Sequence, residues 1–316
     1  MPNLFNPLSW SRSWSQRRQQ NRPGCGLLSC SGPQTFWQRL HHRRHVGTFL
    51  QGVFYCQPQC LQTALTTQLS RLHVLAPSPL PPNRIPLGLL MVARGKLTYL
   101  EVLAALEAQR RAHYGKIGEW IEKLGFATEQ DVTSALALQW GCPVASSTDA
   151  ANVDTSNRIP LALLDAFHMF PLNYAASTNT LYLAFGERVD HAALYAIEKI
   201  LDCRTQPCVA PRKTIARHLE HLRQQPRPCD VEFGSMNDFA EMSRISSSYI
   251  ARLNPDEVRL SRVGRFIWLR LNVRATATNL LFRLPAESPR TRPSASSFRP
   301  IPVPGLQKEG VSYTSK

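Results

Sequence analysis

Acidic residues are missing from the first third of this 316-residue chain. Residues 1–100 hold eleven Arg and Lys and no Asp or Glu, and Glu101 is the first acid. Such a one-sided segment cannot neutralise itself and favours anionic surroundings: nucleic acid, phosphates or a membrane leaflet. Long apolar runs are also missing. No stretch approaches the roughly 18 residues that a membrane span needs, and the first twenty residues lack the continuous apolar centre of a secretory signal. The sequence contains no Gly-x-x-x-x-Gly-Lys-[Ser/Thr] loop, the stretch whose backbone cradles phosphates and whose lysine reaches the terminal ones. No nucleophile or two-metal motif takes its place. These absences point to a cytoplasmic protein without enzymatic activity.

What is present is folded but interrupted. Hydrophobic residues make up 43% of the chain, enough for cores, while 24 prolines imply several breaks. The net charge of +15 is carried by the two ends, because the middle of the chain is nearly neutral.

That middle contains one unit written twice. Leu87-Gly88, Gly95, Val102, Leu106 and Gln109 recur thirty residues later as Ile117-Gly118, Gly125, Val132, Leu136 and Gln139. A repeat of this period means one supersecondary unit used twice, each copy burying the other's apolar face. In the first copy, residues 89–92 form a short apolar helix that Gly95 terminates in the left-handed conformation. Thr98, with Glu101 three residues on, supplies an N-cap and capping box for a second helix, and Leu100, Leu103, Ala104 and Leu106 follow at helical spacing. The second copy repeats the scheme with Gly125, Thr128 and Asp131. Four helices are expected over 84–145.

The remainder divides around this domain. Residues 1–23 and 286–316 read as disordered tails. Residues 24–73 form a small cysteine-bearing module ending in a helix over 61–72, and 74–83 is a proline linker, extended and semi-rigid. Residues 146–223 contain a helix, strands around the Ser177-Thr178-Asn179 turn, an amphipathic helix over 190–201, a brief strand and a closing helix. This αββαβα order describes a two-layer α+β subdomain. A last unit over 231–285 has a helix, a hairpin and a third strand. The expected fold class is therefore α+β multidomain.

Cys25 and Cys30, and then Cys56 and Cys60, form two close pairs separated by 25 residues. Two pairs at such spacing can supply a tetrahedral four-cysteine zinc site. The second pair lies where a strand leads into a helix, which resembles the second half of a treble-clef zinc finger. Zinc would let a segment with few core residues fold. A cytoplasmic location argues against disulfides, because thiols there stay reduced.

The doubled pattern resembles the N-terminal domain of type II secretion and type IV pilus assembly ATPases (the GspE/PilB family, called MshEN where it binds cyclic di-GMP). The resemblance continues through Trp140-Gly141-Cys142-Pro143, Ile159-Pro160, Phe170-Pro171-Leu172 and residues 181–185, and spans about 84–223. It implies a cytoplasmic regulatory or adaptor protein that binds protein partners of a secretion or pilus assembly. It also implies a cyclic di-GMP site at Leu87, Gly88, Gln109, Lys116, Ile117, Gly118 and Gln139. In the binding members each repeat opens Arg-Leu-Gly, and the arginine meets phosphate and guanine. Here Pro86 and Lys116 hold those positions. Proline offers neither charge nor N–H, and lysine keeps the charge without the planar fork.

A second function class is nucleic-acid binding. Arg39, His41, His42, Arg43, Arg44 and His45 lie beside Phe36 and Trp37, and basic and aromatic residues together can grip phosphate and stack bases.

Overall fold

Capping chemistry fixes the first helices. In the computed structural model, which describes residues 24–30, 47–74, 84–145, 153–227, 229–274 and 276–285, the repeat forms α2 (Leu87–Ala93), α3 (Tyr99–Ala112), α4 (Ile117–Lys123) and α5 (Glu129–Trp140). They follow α1 (Pro58–Val74). Both expected capping boxes are present. The Thr98 N–H donates to Glu101 Oε2 at 2.7 Å and its hydroxyl accepts from the Glu101 N–H at 3.3 Å. The Thr128–Asp131 pair does the same at 3.2 Å each way.

Helices α2 and α4 both end in Schellman motifs. Lys96 N–H reaches the Met91 carbonyl and Gly95 N–H the Val92 carbonyl; Phe126 and Gly125 repeat this on Ile121 and Glu122. The motif needs a left-handed residue, and Gly95 (φ 66°) and Gly125 (φ 72°) supply it. The four helices share one core around Leu87, Met91, Ala105, Ile121 and Val132.

Beyond the repeat, helices and strands follow one another in the order αββαβα over residues 161–223. After the short α6 (Val153–Ser156) come α7 (Leu161–Ala166), β3 (Met169–Ala175), β4 (Thr180–Phe185), α8 (His191–Leu201), β5 (Arg204–Val209) and α9 (Arg212–Arg223). The three strands form a sheet in the order β3-β4-β5, with β3 antiparallel and β5 parallel to β4. Val144 adds a parallel bridge to Val209, so the end of the repeat joins this sheet directly.

The expected division between a cysteine module and a separate C-terminal unit does not hold. The hairpin β1 (Thr48–Leu50) and β2 (Val53–Tyr55) enters one six-stranded sheet with β6 (Asp230–Ser235), β7 (Glu257–Val263), β8 (Phe266–Val273) and β9 (Thr276–Arg283), in the order β2-β1-β7-β8-β9-β6. Strand β1 pairs parallel to β7, with Phe49 opposite Glu257 and Leu50 opposite Val258. The physical reason is size. An isolated two-stranded ribbon is marginal in water, and these strands are only three residues long. Docking on β7 takes Leu50 fully out of water.

Helix α1 then packs on α10 (Phe239–Leu253), with Thr66 Oγ1 donating to Ser243 Oγ at 2.8 Å. Strand β6 was not expected from sequence; it pairs parallel to β9.

The six-stranded sheet is covered on both faces. Ile267, Leu269 and Leu271 share a core with Leu65, Leu69 and Met242, whereas Phe266 and Trp268 belong to the core of the αββαβα unit. Burial on both faces explains why β8 reads as a nearly continuous apolar run. Each such side chain contributes roughly 1.5–3 kcal/mol.

A polar seam runs through the junction. Arg227 pairs with Asp230 at 2.8 Å with both side chains under a tenth exposed, and Asn279 donates to Asp230 at 2.8 Å. Arg227 also holds the carbonyls of Ser156 and Ile159. The expected tails lie outside the described residues, as do residues 75–83 of the expected 74–83 linker, whose residue 74 ends α1.

Candidate functional site

In both repeat copies the glycine of the first helix exists for packing. A Cβ on Gly88 would stand 2.8 Å from Val102 Cγ1, and one on Gly118 3.0 Å from Val132 Cγ1. The Gly and Val landmarks are therefore two sides of one helix contact, made twice. The terminal glutamines work reciprocally between copies. Gln109 Nε2, from the first copy, donates to the Gly115 carbonyl at the entry to α4. Gln139 Nε2, from the second, donates to the Ile85 carbonyl at the entry to α2. Each copy thus ties down the other's start.

The seven residues implied as a nucleotide site are only partly gathered. Leu87, Gly88 and Ile117 line a cavity of about 300 Å³ between α2, α3 and α4, together with Pro86, Val102 and Leu106. Its walls are almost wholly apolar. Gly118 faces Val132, and both glutamines are engaged with backbone.

Lys116 is also engaged: its ammonium pairs with Glu187, whose side chain is only 10% exposed. Arg212 reaches the same carboxylate at 3.3 Å and also pairs with Glu119. Burial, followed by the nearby Arg212 charge, lowers the Lys116 ammonium from its usual range. Glu119 is lowered as well. Burial, the largest single influence, would raise it, but the Arg212 bond and charge, the Lys116 N–H and the Lys123 charge together outweigh that. Arg84, just before the first motif, stacks on Trp140 at 3.5 Å and donates to the Gln139 carbonyl at 2.8 Å. Its planar cation is already committed.

The cysteines converge. Cys25, Cys30, Cys56 and Cys60 place their sulfurs within 4.8 Å of one another, with Cys30 3.4 Å from Cys56 and 3.5 Å from Cys60. Zn–S bonds of about 2.3 Å in a tetrahedron put sulfurs about 3.8 Å apart, so the cluster fits a metal ion with little adjustment. The 24–30 turn supplies the first pair. It is held to the hairpin by the Gly26 N–H bonding to the Phe54 carbonyl at 2.8 Å. A side chain at Gly26 would collide with Val53 at 2.1 Å, so only glycine allows this approach. Cys56 precedes α1 and Cys60 sits in its first turn.

Among the four thiols themselves, burial and the neighbouring thiols raise Cys56, and push Cys60 up to about 11. Cys25 behaves differently: burial raises it, but N–H groups of Cys56 and Leu27 and the adjacent thiols bring it down. A bound dication would favour all four thiolates. Sequence reasoning found this cluster from spacing alone, but missed Glu187 and Arg212, which no local motif marks.

The basic stretch over 36–45 lies outside the described residues. Among the described residues no helix is long and apolar enough to cross a membrane.

The tandem helical repeat thus runs directly into a unit of αββαβα order. Residues 140–228 match the family model for the MshEN domain. Among solved structures, that of MshE with cdg is similar at 24% identity and a TM-score of 0.38, covering 44% of this chain and 99% of its own. The N-terminal domain of XpsE is similar at 19% identity and a TM-score of 0.33, covering 41% and 88%. No curated protein matches the chain.

Proposed function

We propose that this chain is a non-catalytic regulatory adaptor of a secretion or pilus-type assembly, acting in the cytoplasm, with zinc in its four-cysteine centre. The observation that carries the reading is the MshEN match over residues 140–228, continuous with a repeat that keeps large apolar side chains on its surface. Zinc suits four thiolates in tetrahedral reach and holds structure without redox chemistry. The test of the adaptor role is reciprocal tagged co-purification of the full chain with the inner-membrane components of such an assembly. Recovery in both directions is expected, and recovery in neither would overturn it.

A second reading, cyclic di-GMP binding at the repeat, is favoured by one observation: Leu87, Gly88 and Ile117 line a single cavity. It requires Lys116 to leave Glu187 and gives Pro86 no phosphate contact, so the adaptor role has the better support. Calorimetric titration of the full chain with cyclic di-GMP separates the two. Saturable heat below about 100 μM, roughly 5 kcal/mol of affinity, supports the messenger; no heat in that range leaves the adaptor alone. Nucleic-acid binding would show as affinity falling steeply with salt.

A further inference from the structure

The two repeat copies agree on their inner faces and differ on their outer ones. In the second copy the outer face is covered by α9 and its sheet. Glu119 pairs with Arg212, and Glu129 accepts from the Lys213 N–H at 2.9 Å. Thr133 is 4% exposed and Ala137 5%. Thirty residues earlier, the same positions are Leu89, Tyr99, Leu103 and Glu107. There Leu89 is 47% exposed, Tyr99 59% and Leu103 44%. The apolar cavity of about 300 Å³ opens between them.

We propose that this outer face of the first copy is a docking site for a helix of another protein, apolar along one side and acidic beside that stripe. The proposal rests on the adaptor reading and gives the partner its form. The second copy is the template, because its equivalent face already receives the first turn of a helix, α9. Replacing Glu119 and Glu129 by Leu89 and Tyr99 changes the preferred contact from basic to apolar. An apolar groove between two helices accepts side chains at i, i+3, i+4 and i+7 of a third. Tyr99, Leu103, Leu106 and Arg110 share one side of α3 by their spacing. Exposed Arg110 makes the far end of that side basic, while the adjoining Arg111 pairs with Glu107. A second copy of this chain would bring like charges together there, whereas an acidic flank would complement them.

The experiment titrates full-length chain into two fluorescent helical peptides with the same leucine stripe, one flanked by Glu and the other by Lys. The Glu peptide is expected to saturate and the Lys peptide to bind at least tenfold more weakly. Leu103→Asp should weaken the Glu peptide at least tenfold, and so should Tyr99→Lys, while Leu138→Asp, exposed on the other copy, should leave it unchanged. Circular dichroism of each variant verifies the fold. Equal binding by wild type and both first-copy variants overturns the site, as does no saturation by the Glu peptide at about 500 μM. Two other outcomes also overturn it: self-association lost in Leu103→Asp, which makes a second copy the occupant, and phosphatidylglycerol-vesicle binding lost in the same variant. If Leu103→Asp still co-purifies fully with the assembly components, this face is wrong and the adaptor reading stands.

Discussion

In the helical repeat the decisive contacts are comparatively short in sequence: Gly88 on Val102, Gly118 on Val132, Gln109 on the Gly115 carbonyl, and Gln139 on the Ile85 carbonyl across 54 residues. In the six-stranded sheet they are long. The Gln51 side chain bonds the Leu260 carbonyl at 2.7 Å across 209 residues, and Leu50 shares a core with Leu260 and Leu280. Short contacts close small loops at little entropic cost, while distant pairing must be stabilised after a long loop is closed. The sheet carries a cluster of thiols at its β2 end, beside Tyr55 and α1, which a metal ion would turn into a staple. The difference suggests two regions that fail under different insults: one stable through caps and close packing, the other dependent on a staple.

The largest effect should come from breaking that staple. Metal removal by a chelator, or Cys60→Ser, is expected to cost several kcal/mol, because the binding energy of a structural zinc is folding energy. The loss should be confined. Hydrogen exchange should accelerate across 48–74 and β7, while amides of α3 and α5 keep their protection. Uniform loss of protection across both regions, or none anywhere, would defeat the comparison. Metal analysis of the purified full chain, expected at one zinc per chain, gives the independent check.

A smaller test sharpens the comparison within the repeat. Gly88→Ala adds a methyl 2.8 Å from Val102, and Gly118→Ala adds one 3.0 Å from Val132. Overpacking costs about 1–3 kcal/mol, while alanine returns up to about 1 kcal/mol of helix propensity over glycine. Both variants should therefore lose stability in urea, by about 1 kcal/mol for Gly88→Ala and less for Gly118→Ala. A gain in stability for Gly88→Ala would show that the glycine was not kept for the helix contact.

The contrast between short and long contacts also decides what could be read from the chain. The caps at Thr98 and Thr128, the glycine stops and the αββαβα order were legible, because their causes lie within a few residues. The convergence of four cysteines was legible from pair spacing. The joining of Leu50 to Val258 was not, because strand partners two hundred residues apart leave no mark in either segment. Strand β6 was missed for a related reason. Asp230, Glu232, Gly234 and Ser235 give it a polar look, and it becomes a strand by pairing with β9 at a sheet edge. The site divided in the same way. Pro86 and Lys116 were visible as departures, but the capture of Lys116 by Glu187 depended on a loop of the next subdomain.

The smallest effect probes where the repeat itself departs from self-sufficiency. Asp131 completes the capping box of α5 and also pairs with Lys96 of the first copy at 2.8 Å. Lys96, then the Thr128 hydroxyl and N–H, hold its carboxyl down to about 2. Its counterpart Glu101 is lowered by Thr98 alone. A carboxyl whose folded pKa is depressed stabilises the protein above its unfolded pKa, near 3.9. That stability is lost as pH falls through the folded value. The window therefore runs from about pH 4 to about pH 2. With Lys96 57% exposed, solvent screening limits the pair to under about 1 kcal/mol. Lys96→Met should raise the Asp131 pKa toward its ordinary value and flatten the acid side of the stability curve, leaving Glu101 unmoved. Carboxyl titration by NMR reads both groups at once. An Asp131 pKa unchanged by the substitution would mean that the cap alone lowers it, and that the two copies are electrostatically independent. A shift would make this ion pair a tie between copies that neither repeat unit encodes by itself.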